Sequence, residues 1–255
     1  MKGVCRMDAA KVCEILRSGG VDARFAAVVE STQDECIRAG RGGAPSGSLV
    51  LASSQVAGRG RMGRRWLSPA GGLYASIMLR PALRQELWSA LTLHAGLAVV
   101  SAVRAAGVAD ARLKWPNDCL AGGRKLCGIL AESFPGDGIV VIGLGMNIES
   151  APDVGSVECL HHGLPSAFLD GLVDVDHDVF CADLLFRMRS ALLRADFGLP
   201  LDTRAISEML WDGGTINACC DGSEFSGRAT GVDPLGRLIV LLPDGSVRHV
   251  STGEV

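Results

Sequence analysis

The chain has 255 residues, 48% of them hydrophobic and 21% charged, a composition typical of a folded globular protein that argues against a disordered one. Lysine and arginine total 25 against 28 acidic residues, so the formal net charge is −3. This balance argues against a surface built as a whole for nucleic acid. The length predicts one large domain, alone or with one small domain.

Nine cysteines are present, but the number is odd, the chain is long and no Cys-x-x-Cys pair occurs. We therefore expect free thiols in a reducing compartment and a cytoplasmic location. The first 20 residues contain charged side chains and no continuous apolar run, so we expect no secretory signal. The most apolar long stretch, residues 87–103, is expected to be a buried helix, too short and too polar to span a membrane.

Hydrophobic spacing predicts a mixture of helices and strands up to residue 200. Helices are expected over residues 7–17, 34–39, 85–106 and 178–195. Strands are expected over residues 26–30 (a buried strand), 49–53, 73–79 and 111–115, and as a hairpin of 126–132 with 139–148. The Gly- and Arg-rich segment 58–72 is predicted to be a long functional loop.

The pattern changes near residue 212. Short strands are expected over residues 215–220, 225–232, 238–242 and 246–250, separated by turns rich in Gly, Asp and Pro. This spacing predicts a small all-β barrel over residues 212–255, following a larger domain over residues 1–211.

The first motif that points to chemistry is Gly58-Arg59-Gly60-Arg61-Met62-Gly63-Arg64-Arg65-Trp66, called here the arginine loop. Its four arginines fall within seven residues and are interleaved with glycines. Glycine lets backbone N–H groups approach an anion, and guanidinium groups bind carboxylate or phosphate. The composition predicts an anion-binding loop, with a solvated charged turn or an RNA-contacting patch as alternatives.

Two further motifs lie at predicted strand ends. Lys114-Trp115-Pro116-Asn117-Asp118, called here the lysine corner, places an ammonium group beside a rigid turn. A plain turn with an exposed lysine is the alternative, and Asp118 is interpreted as a turn residue rather than a metal ligand. Gly143-Leu144-Gly145-Met146-Asn147 closes a buried strand, where two glycines allow a ligand or a backbone to approach closely.

In this order, the three motifs resemble the biotin protein ligase family, together with Arg124-Lys125-Leu126-Cys127-Gly128-Ile129-Leu130-Ala131-Glu132 and the closing Gly253-Glu254-Val255. The resemblance covers residues 26–255. It implies an α+β fold with a mixed β-sheet catalytic domain flanked by helices, followed by a small C-terminal SH3-like β-barrel. It also implies an ATP-dependent ligase that forms biotinyl-5′-AMP and transfers biotin to one lysine of a biotin carboxyl carrier domain of a biotin-dependent carboxylase.

The resemblance also implies roles for individual residues. Lys114 and Arg61 are the expected catalytic residues. The expected biotin contacts are Ser31, Thr32, Gln33, Gln55, Arg59, Gly60, Arg61 and Lys114, with Gln33 standing where the family has Asn. The expected ATP contacts are Arg61, Arg64, Lys114 and Asn147. Mg²⁺ is an expected cofactor whose ligands the sequence does not assign, and residues 149–164 are expected where the family covers the adenylate.

Several alternatives remain open from the sequence. A lipoate or octanoate ligase would share the core architecture, although the barrel and the lysine corner favour biotin. An RNA-binding module would also use an arginine-rich loop, but the acidic net charge and the 5% aromatic content argue against it. The residues before position 26 leave no room for a helix-turn-helix, so we expect no DNA partner. We also expect no membrane partner. A homodimer is compatible with the sequence.

Overall fold

The computed structural model describes residues 7–151, 164–211, 215–220 and 223–251, with the side chains at 218–220 and 223 left out. The helices are α1 (Ala9–Ser18), α2 (Thr32–Arg41), α3 (Ala90–Ala105), α4 (His177–Asp196) and α5 (Thr203–Met209). The strands are β1 (Ala23–Val29), β2 (Ser48–Gln55), β3 (Gly72–Leu79), β4 (Arg112–Lys114), β5 (Asp118–Ala121), β6 (Arg124–Phe134), β7 (Ile139–Asn147), β8 (Thr215–Cys220), β9 (Ser223–Val232), β10 (Leu238–Leu241) and β11 (Val247–Val250).

Seven strands form one mixed sheet in the order β1-β2-β3-β7-β6-β5-β4. β1 and β2 run parallel, and the other neighbouring pairs run antiparallel. The expected hairpin of β6 and β7 is confirmed, and its turn ends at Gly138 with a φ of 62°, which glycine adopts without steric cost. The α+β class with a mixed sheet is therefore confirmed.

The two faces of this sheet have different partners, because side chains alternate along each strand. One face carries buried residues such as Leu51, Leu73 and Leu113 and packs against α1, α3 and α4 in the main core. The opposite face carries Val50, Met78 and other members of a smaller apolar cluster, which α2 covers. The rest of this second face lies next to the arginine loop.

Three local features differ from the sequence expectations. β1 is an edge strand rather than a buried one, with Phe25 36% and Val28 64% exposed. Asp118 begins strand β5, so the turn at the lysine corner is shorter than expected. The helix α5 carries no clear hydrophobic period, and the sequence did not predict it.

The apolar segment Gln85–Ala105 contains α3 preceded by a short 3₁₀ turn. By length and composition alone this segment is long and apolar enough to cross a membrane, with a mean hydropathy of 1.4. The expectation that it is too short and too polar was therefore wrong. In the folded chain 61% of its most apolar window is buried, and α3 packs against α4. The expectation of a buried helix is therefore confirmed, and we interpret it as a core helix.

The C-terminal strands form a four-stranded antiparallel sheet in the order β11-β10-β9-β8. All four predicted strands are confirmed. Within the described residues no pairing joins β11 to β8, and closure of this sheet into the expected barrel stays a prediction. Residues 212–214 lie outside the described ranges, and the domain boundary at 211/212 stays a prediction.

Free thiols are confirmed at Cys13, Cys36, Cys119, Cys127 and Cys181, which are all buried. Burial raises the pKa of Cys36 to about 12, so its thiol is protonated at neutral pH and is a poor nucleophile.

Candidate functional site

The sheet face that carries α2 also carries a row of paired residues from five strands. Tyr74 lies opposite Gly145, Gly145 opposite Gly128, Gly128 opposite Asp118, and Asp118 opposite Lys114. Residues directly opposite each other in a sheet share a face. The two glycines therefore form a trough between Tyr74 and the acidic and basic side chains of the lysine corner.

The indole of Trp66 lies in this trough. A Cβ on Gly145 would overlap Trp66 Nε1, and a Cβ on Gly128 would lie 3.1 Å from Trp66 Cζ3. Lys125 Nζ lies 5.3 Å from the centroid of the Trp66 ring, a cation–π distance. Trp66 Nε1 is buried and has no hydrogen-bond partner among the described residues. Gly128 and Gly145 therefore give the end of the arginine loop a place against the sheet.

The N-terminus of α2 brings together several of the polar residues that the sequence predicted. Ser31 caps the helix and accepts from Gln33 N at 3.3 Å. Thr32 donates to Gln55 Oε1 from its backbone N at 2.8 Å and from Oγ1 at 3.1 Å, and its hydroxyl lies 2.8 Å from Ser76 Oγ. These bonds fix the orientation of the Gln55 amide and leave a buried polar cluster on the site face of the sheet.

Gln33 crosses from α2 to the sheet. Its Nε2 donates to the carbonyl of Leu130 at 3.1 Å. A Cβ on Gly143 would lie 3.0 Å from Gln33 Cδ, so the glycine provides the space in which this longer side chain lies. Gln33 therefore joins the predicted cluster of Ser31, Thr32 and Gln55.

The arginine loop folds back on itself as a short hairpin. Trp66 N donates to Gly58 O at 2.9 Å, and Gly60 N donates to Arg64 O at 2.7 Å. Arg59 and Arg65 pair across it as an isolated antiparallel bridge. The loop thus has internal order that the sequence alone did not indicate.

Arg61 joins the arginine loop to the lysine corner. Its Nη1 donates to Asn117 Oδ1 at 3.3 Å. Asn117 in turn donates to Lys114 O from its backbone N at 3.1 Å and to Ile129 O from Nδ2 at 3.0 Å. The loop therefore reaches a corner held between the end of β4 and the middle of β6.

A cavity of about 370 Å³ lies between the arginine loop and β6. Its lining residues are Arg59, Gly60, Arg61, Met62, Gly63, Arg64, Leu130 and Glu132. Lys114 is half-buried and does not line this cavity, although the hydrogen-bonded turn of Asn117 lies between it and Arg61. The cavity is thus lined by the predicted loop, and the predicted lysine is linked to that loop through Asn117.

The other two expected ATP contacts, Arg64 and Asn147, have different surroundings. Arg64 is exposed, and its Nε donates to Arg61 O at 3.2 Å. Asn147 is buried and donates from Nδ2 to Ala167 O at 2.9 Å, which holds the returning segment 164–169 beside the sheet. Most of the segment expected to cover the adenylate, residues 152–163, lies outside the described residues.

Family models match both parts of the chain. The model described as "Biotin/lipoate A/B protein ligase family" matches residues 25–147, and the one described as "Biotin protein ligase C terminal domain" matches residues 213–255. A biotin–[acetyl-CoA-carboxylase] ligase from Paracoccus denitrificans is 35% identical over 228 residues, which is 85% of this chain and 92% of the relative. The chain belongs to the biotin protein ligase family.

Two further biotin protein ligases show the extent of the similarity. The biotin–[acetyl-CoA-carboxylase] ligase of Mycobacterium tuberculosis is 34% identical over 235 residues, covering 87% of this chain and 83% of the relative. The crystal structure of biotin protein ligase from Aquifex aeolicus in complex with biotin and ATP superposes with a TM-score of 0.76 at 25% identity, covering 91% of this chain and 97% of that one. Family membership thus extends through both described sheets.

The structure also reveals charged residues at the site to which the sequence analysis assigned no role in binding or catalysis. Lys125 Nζ pairs with Asp118 Oδ2 at 2.8 Å, next to Trp66, and Asp118 Oδ1 is buried without a hydrogen-bond partner among the described residues. Asp34 and Glu132 both bind Arg59. Lys125 and Glu132 belong to one of the motifs quoted above and Asp118 to the lysine corner, whereas no motif marked Asp34.

Proposed function

We propose that the protein is an ATP-dependent ligase that activates biotin as biotinyl-5′-AMP and transfers it to a lysine of a biotin carboxyl carrier domain. The observation that carries this proposal is the contact between Arg61 Nη1 and Asn117 Oδ1 at 3.3 Å. It joins the arginine loop to the lysine corner on the sheet face that also holds the polar cluster of α2. The names of the Paracoccus and Mycobacterium relatives support the same activity.

The proposed biotin site is the trough together with the α2 cluster. A ureido group needs both donors and acceptors, and the hydroxyls of Ser31 and Thr32 with the amide of Gln55 supply them. The hydrogen bond from Gln33 Nε2 to Leu130 O holds the Gln33 side chain at the other side of this cluster. Trp66, which packs on the two glycines, supplies the apolar surface that the rest of the ring system requires.

In the first proposed step, an oxygen of the biotin carboxylate attacks the α-phosphorus of ATP, and the bond to the pyrophosphate oxygen breaks. Two anions must meet, so the reaction needs positioning and positive charge more than proton transfer. Lys114 and Arg61 supply these charges beside the site. Gly60 lets the loop backbone approach the ligand, and Arg64 and Asn147 are the proposed nucleotide contacts at its rim.

Magnesium is proposed to enter with ATP as part of the substrate complex, where it neutralises phosphate charge. Within the described part of the chain, no group of three or more His, Cys, Asp or Glu side chains could hold a metal ion. This arrangement fits a cation whose coordination is completed mainly by phosphates and water. Asp118 lies opposite Lys114, and its Oδ1 has no hydrogen-bond partner among the described residues, so we propose it as a carboxylate that contacts the ion.

In the second proposed step, the neutral amine of the acceptor lysine attacks the carbonyl of the mixed anhydride. An amide bond forms, the bond between the carbonyl carbon and the phosphate oxygen breaks, and AMP leaves with its electron pair, while the proton that the amine loses is taken up by the departing phosphate or by solvent. The anhydride is open to hydrolysis, so the arginine loop and Trp66 are proposed to exclude water from it. We also propose a cytoplasmic location, which the five buried free thiols support.

Incubation of the purified chain with biotin, Mg·ATP and a carrier domain tests this proposal. Mass spectrometry should find one biotinyl group on one lysine, and none on a matched carrier with that lysine replaced by arginine. A parallel incubation with lipoate should give no modification. Lipoyl transfer without biotinyl transfer would instead support the lipoate ligase alternative.

A further inference from the structure

We propose that Asp34 and Glu132 are positioning residues for adenylate formation, because they hold Arg59 and thereby fix the arginine loop over the site. The inference rests on the proposed function. It gives Arg59 a role distinct from the direct biotin contact that the family resemblance implies.

The contacts of Arg59 engage all three guanidinium nitrogens. Nε donates to Glu132 Oε1 at 3.1 Å and Nη2 donates to Glu132 Oε2 at 2.8 Å, which is a bidentate pair. Nη1 donates to Asp34 Oδ2 at 2.8 Å. The hydrogen bonds from Asp34 and Glu132 raise the pKa of Arg59 above its ordinary value. Arg59, Asp34 and Glu132 are called here the arginine clamp.

Both carboxylates belong to rigid elements of the site. Asp34 lies in the first turn of α2, two residues after Thr32. Glu132 lies on β6, two residues after Leu130, whose carbonyl accepts from Gln33. The clamp therefore ties the loop to the same helix and strand that hold the polar cluster.

The tip of the loop, between Arg61 and Trp66, is exposed to solvent. Met62 is 73% exposed, and Arg64 and Arg65 are exposed as well. Gly60 and Gly63 give the backbone additional conformational freedom. Because the clamp lies at the base of the loop, its loss should let the loop move as a unit and take Arg61 away from Asn117.

The two roles of Arg59 predict different kinetics. If Arg59 only positions the loop, then Glu132→Gln lowers the fraction of molecules that have an ordered loop. The apparent dissociation constant for biotin then rises in inverse proportion to that fraction. We expect the KM for biotin to rise about tenfold while kcat at saturating biotin stays within about twofold of wild type. General loss of folded protein would lower kcat instead and leave KM unchanged.

The test is biotin-dependent ATP–pyrophosphate exchange on wild type, the single variants Glu132→Gln, Asp34→Asn and Arg59→Ala, the Asp34→Asn/Glu132→Gln double variant, and the triple variant that combines all three substitutions. If the three residues act as one clamp, the triple variant should have the same KM as Arg59→Ala. Asp137→Asn is the matched control, since it removes an ion pair of the same chemistry, with Arg41 at 2.9 Å, away from the loop. Its KM should equal that of wild type.

Limited trypsin digestion supplies a readout that does not depend on activity. Cleavage within residues 59–65 should be faster in Glu132→Gln than in wild type or Asp137→Asn at equal melting temperature, because a released loop exposes its arginines to the protease. Equal KM and equal cleavage in Glu132→Gln and wild type would overturn the clamp. So would an Arg59→Ala variant whose KM far exceeds that of the Asp34→Asn/Glu132→Gln double variant, since Arg59 would then contact biotin itself. Absence of exchange in wild type would contradict the proposed function, while the digestion would still test the clamp.

Discussion

Arg61 and Arg65 lie four residues apart in the arginine loop but have different surroundings. Arg61 reaches Asn117 at the lysine corner, whereas Arg65 is exposed and donates from Nη2 to Val56 O at 2.7 Å. The composition of the loop does not distinguish these two cations, and only the family resemblance assigned a role to Arg61. Their partners show that only Arg61 is directed to the site.

We expect Arg61→Gly to loosen the closed loop, so that biotinyl-5′-AMP escapes and labels lysines of bystander protein. Streptavidin blots of albumin added to the reaction measure this escape. Arg65→Gly, which makes the same chemical change on the outer side of the loop, should give wild-type background labelling. Equal labelling by the two variants would remove the special role of Arg61.

At the scale of elements, the glycines of β6 and β7 decide where the end of the loop lies. Gly128 and Gly145 are direct neighbours in the sheet, and Trp66 packs over both. The sequence showed that a ligand or a backbone could approach these glycines, but not that the side chain of Trp66 does. That contact depends on the register of three separated segments.

Gly145→Ala should displace Trp66 and weaken biotin binding by about tenfold to one hundredfold, since overpacking of this kind costs about 1–3 kcal/mol. The fold should survive because Trp66 is only half-buried and has solvent into which it can move. Calorimetric titration with biotin measures the effect. Gly136→Ala is the matched control, since its Cβ would meet nothing within 4 Å. Unchanged affinity in Gly145→Ala would show that the trough is no part of the biotin site.

Most elements could be predicted from the sequence because their hydrophobic period or capping residues are local. The helix predicted over 34–39 and the hairpin of 126–132 with 139–148 are examples. β1 was misjudged because a short apolar run looks the same in an edge strand and in a buried one. β5 was missed because Asn117 and Asp118 favour turns in general, and only pairing with Lys114 makes Asp118 a strand residue.

The contacts within the candidate site were harder to predict than its residue types. The family resemblance named Ser31, Thr32, Gln55, Arg61 and Lys114, but not the hydrogen bonds that join Thr32 to Gln55 and Arg61 to Asn117. The pairing of Arg59 with Glu132 spans 73 positions and that of Asn147 with Ala167 spans 20. Such partners are set by the tertiary arrangement, which local spacing does not contain.

At the scale of the whole molecule, the C-terminal sheet contacts the lysine corner. Trp115 is buried in the main core, and its Nε1 donates to Gly236 O at 3.0 Å. Asp233 shapes the turn that contains Gly236 by accepting from Leu235 N and Arg237 N, both at 3.0 Å. The position of the second sheet is therefore linked to the residue that follows Lys114.

Asp233 should make stability depend on pH. Burial raises its pKa, but hydrogen bonds from the backbone and side chain of Arg237 and from His249 outweigh burial, so the pKa lies below the ordinary 3.8. The unfolded chain then binds more protons near that value, and the stabilisation is present at neutral pH and lost as pH falls through the lowered pKa.

We expect Asp233→Asn to lower the free energy of unfolding by about 2 kcal/mol at pH 7, with the difference from wild type shrinking below about pH 4. Urea unfolding of both proteins from pH 7 to pH 3 measures this difference. A difference that stays constant over the whole range would show that the charge of Asp233 contributes nothing.

The most direct test of the central claim, that Lys114 and Arg61 act together on biotin and ATP, is exchange of labelled pyrophosphate into ATP by wild type and Lys114→Ala. The account predicts exchange that requires added biotin and falls by about 10² to 10³ in Lys114→Ala at an unchanged melting temperature. Exchange that proceeds without biotin, or equally well in the folded Lys114→Ala variant, would contradict it.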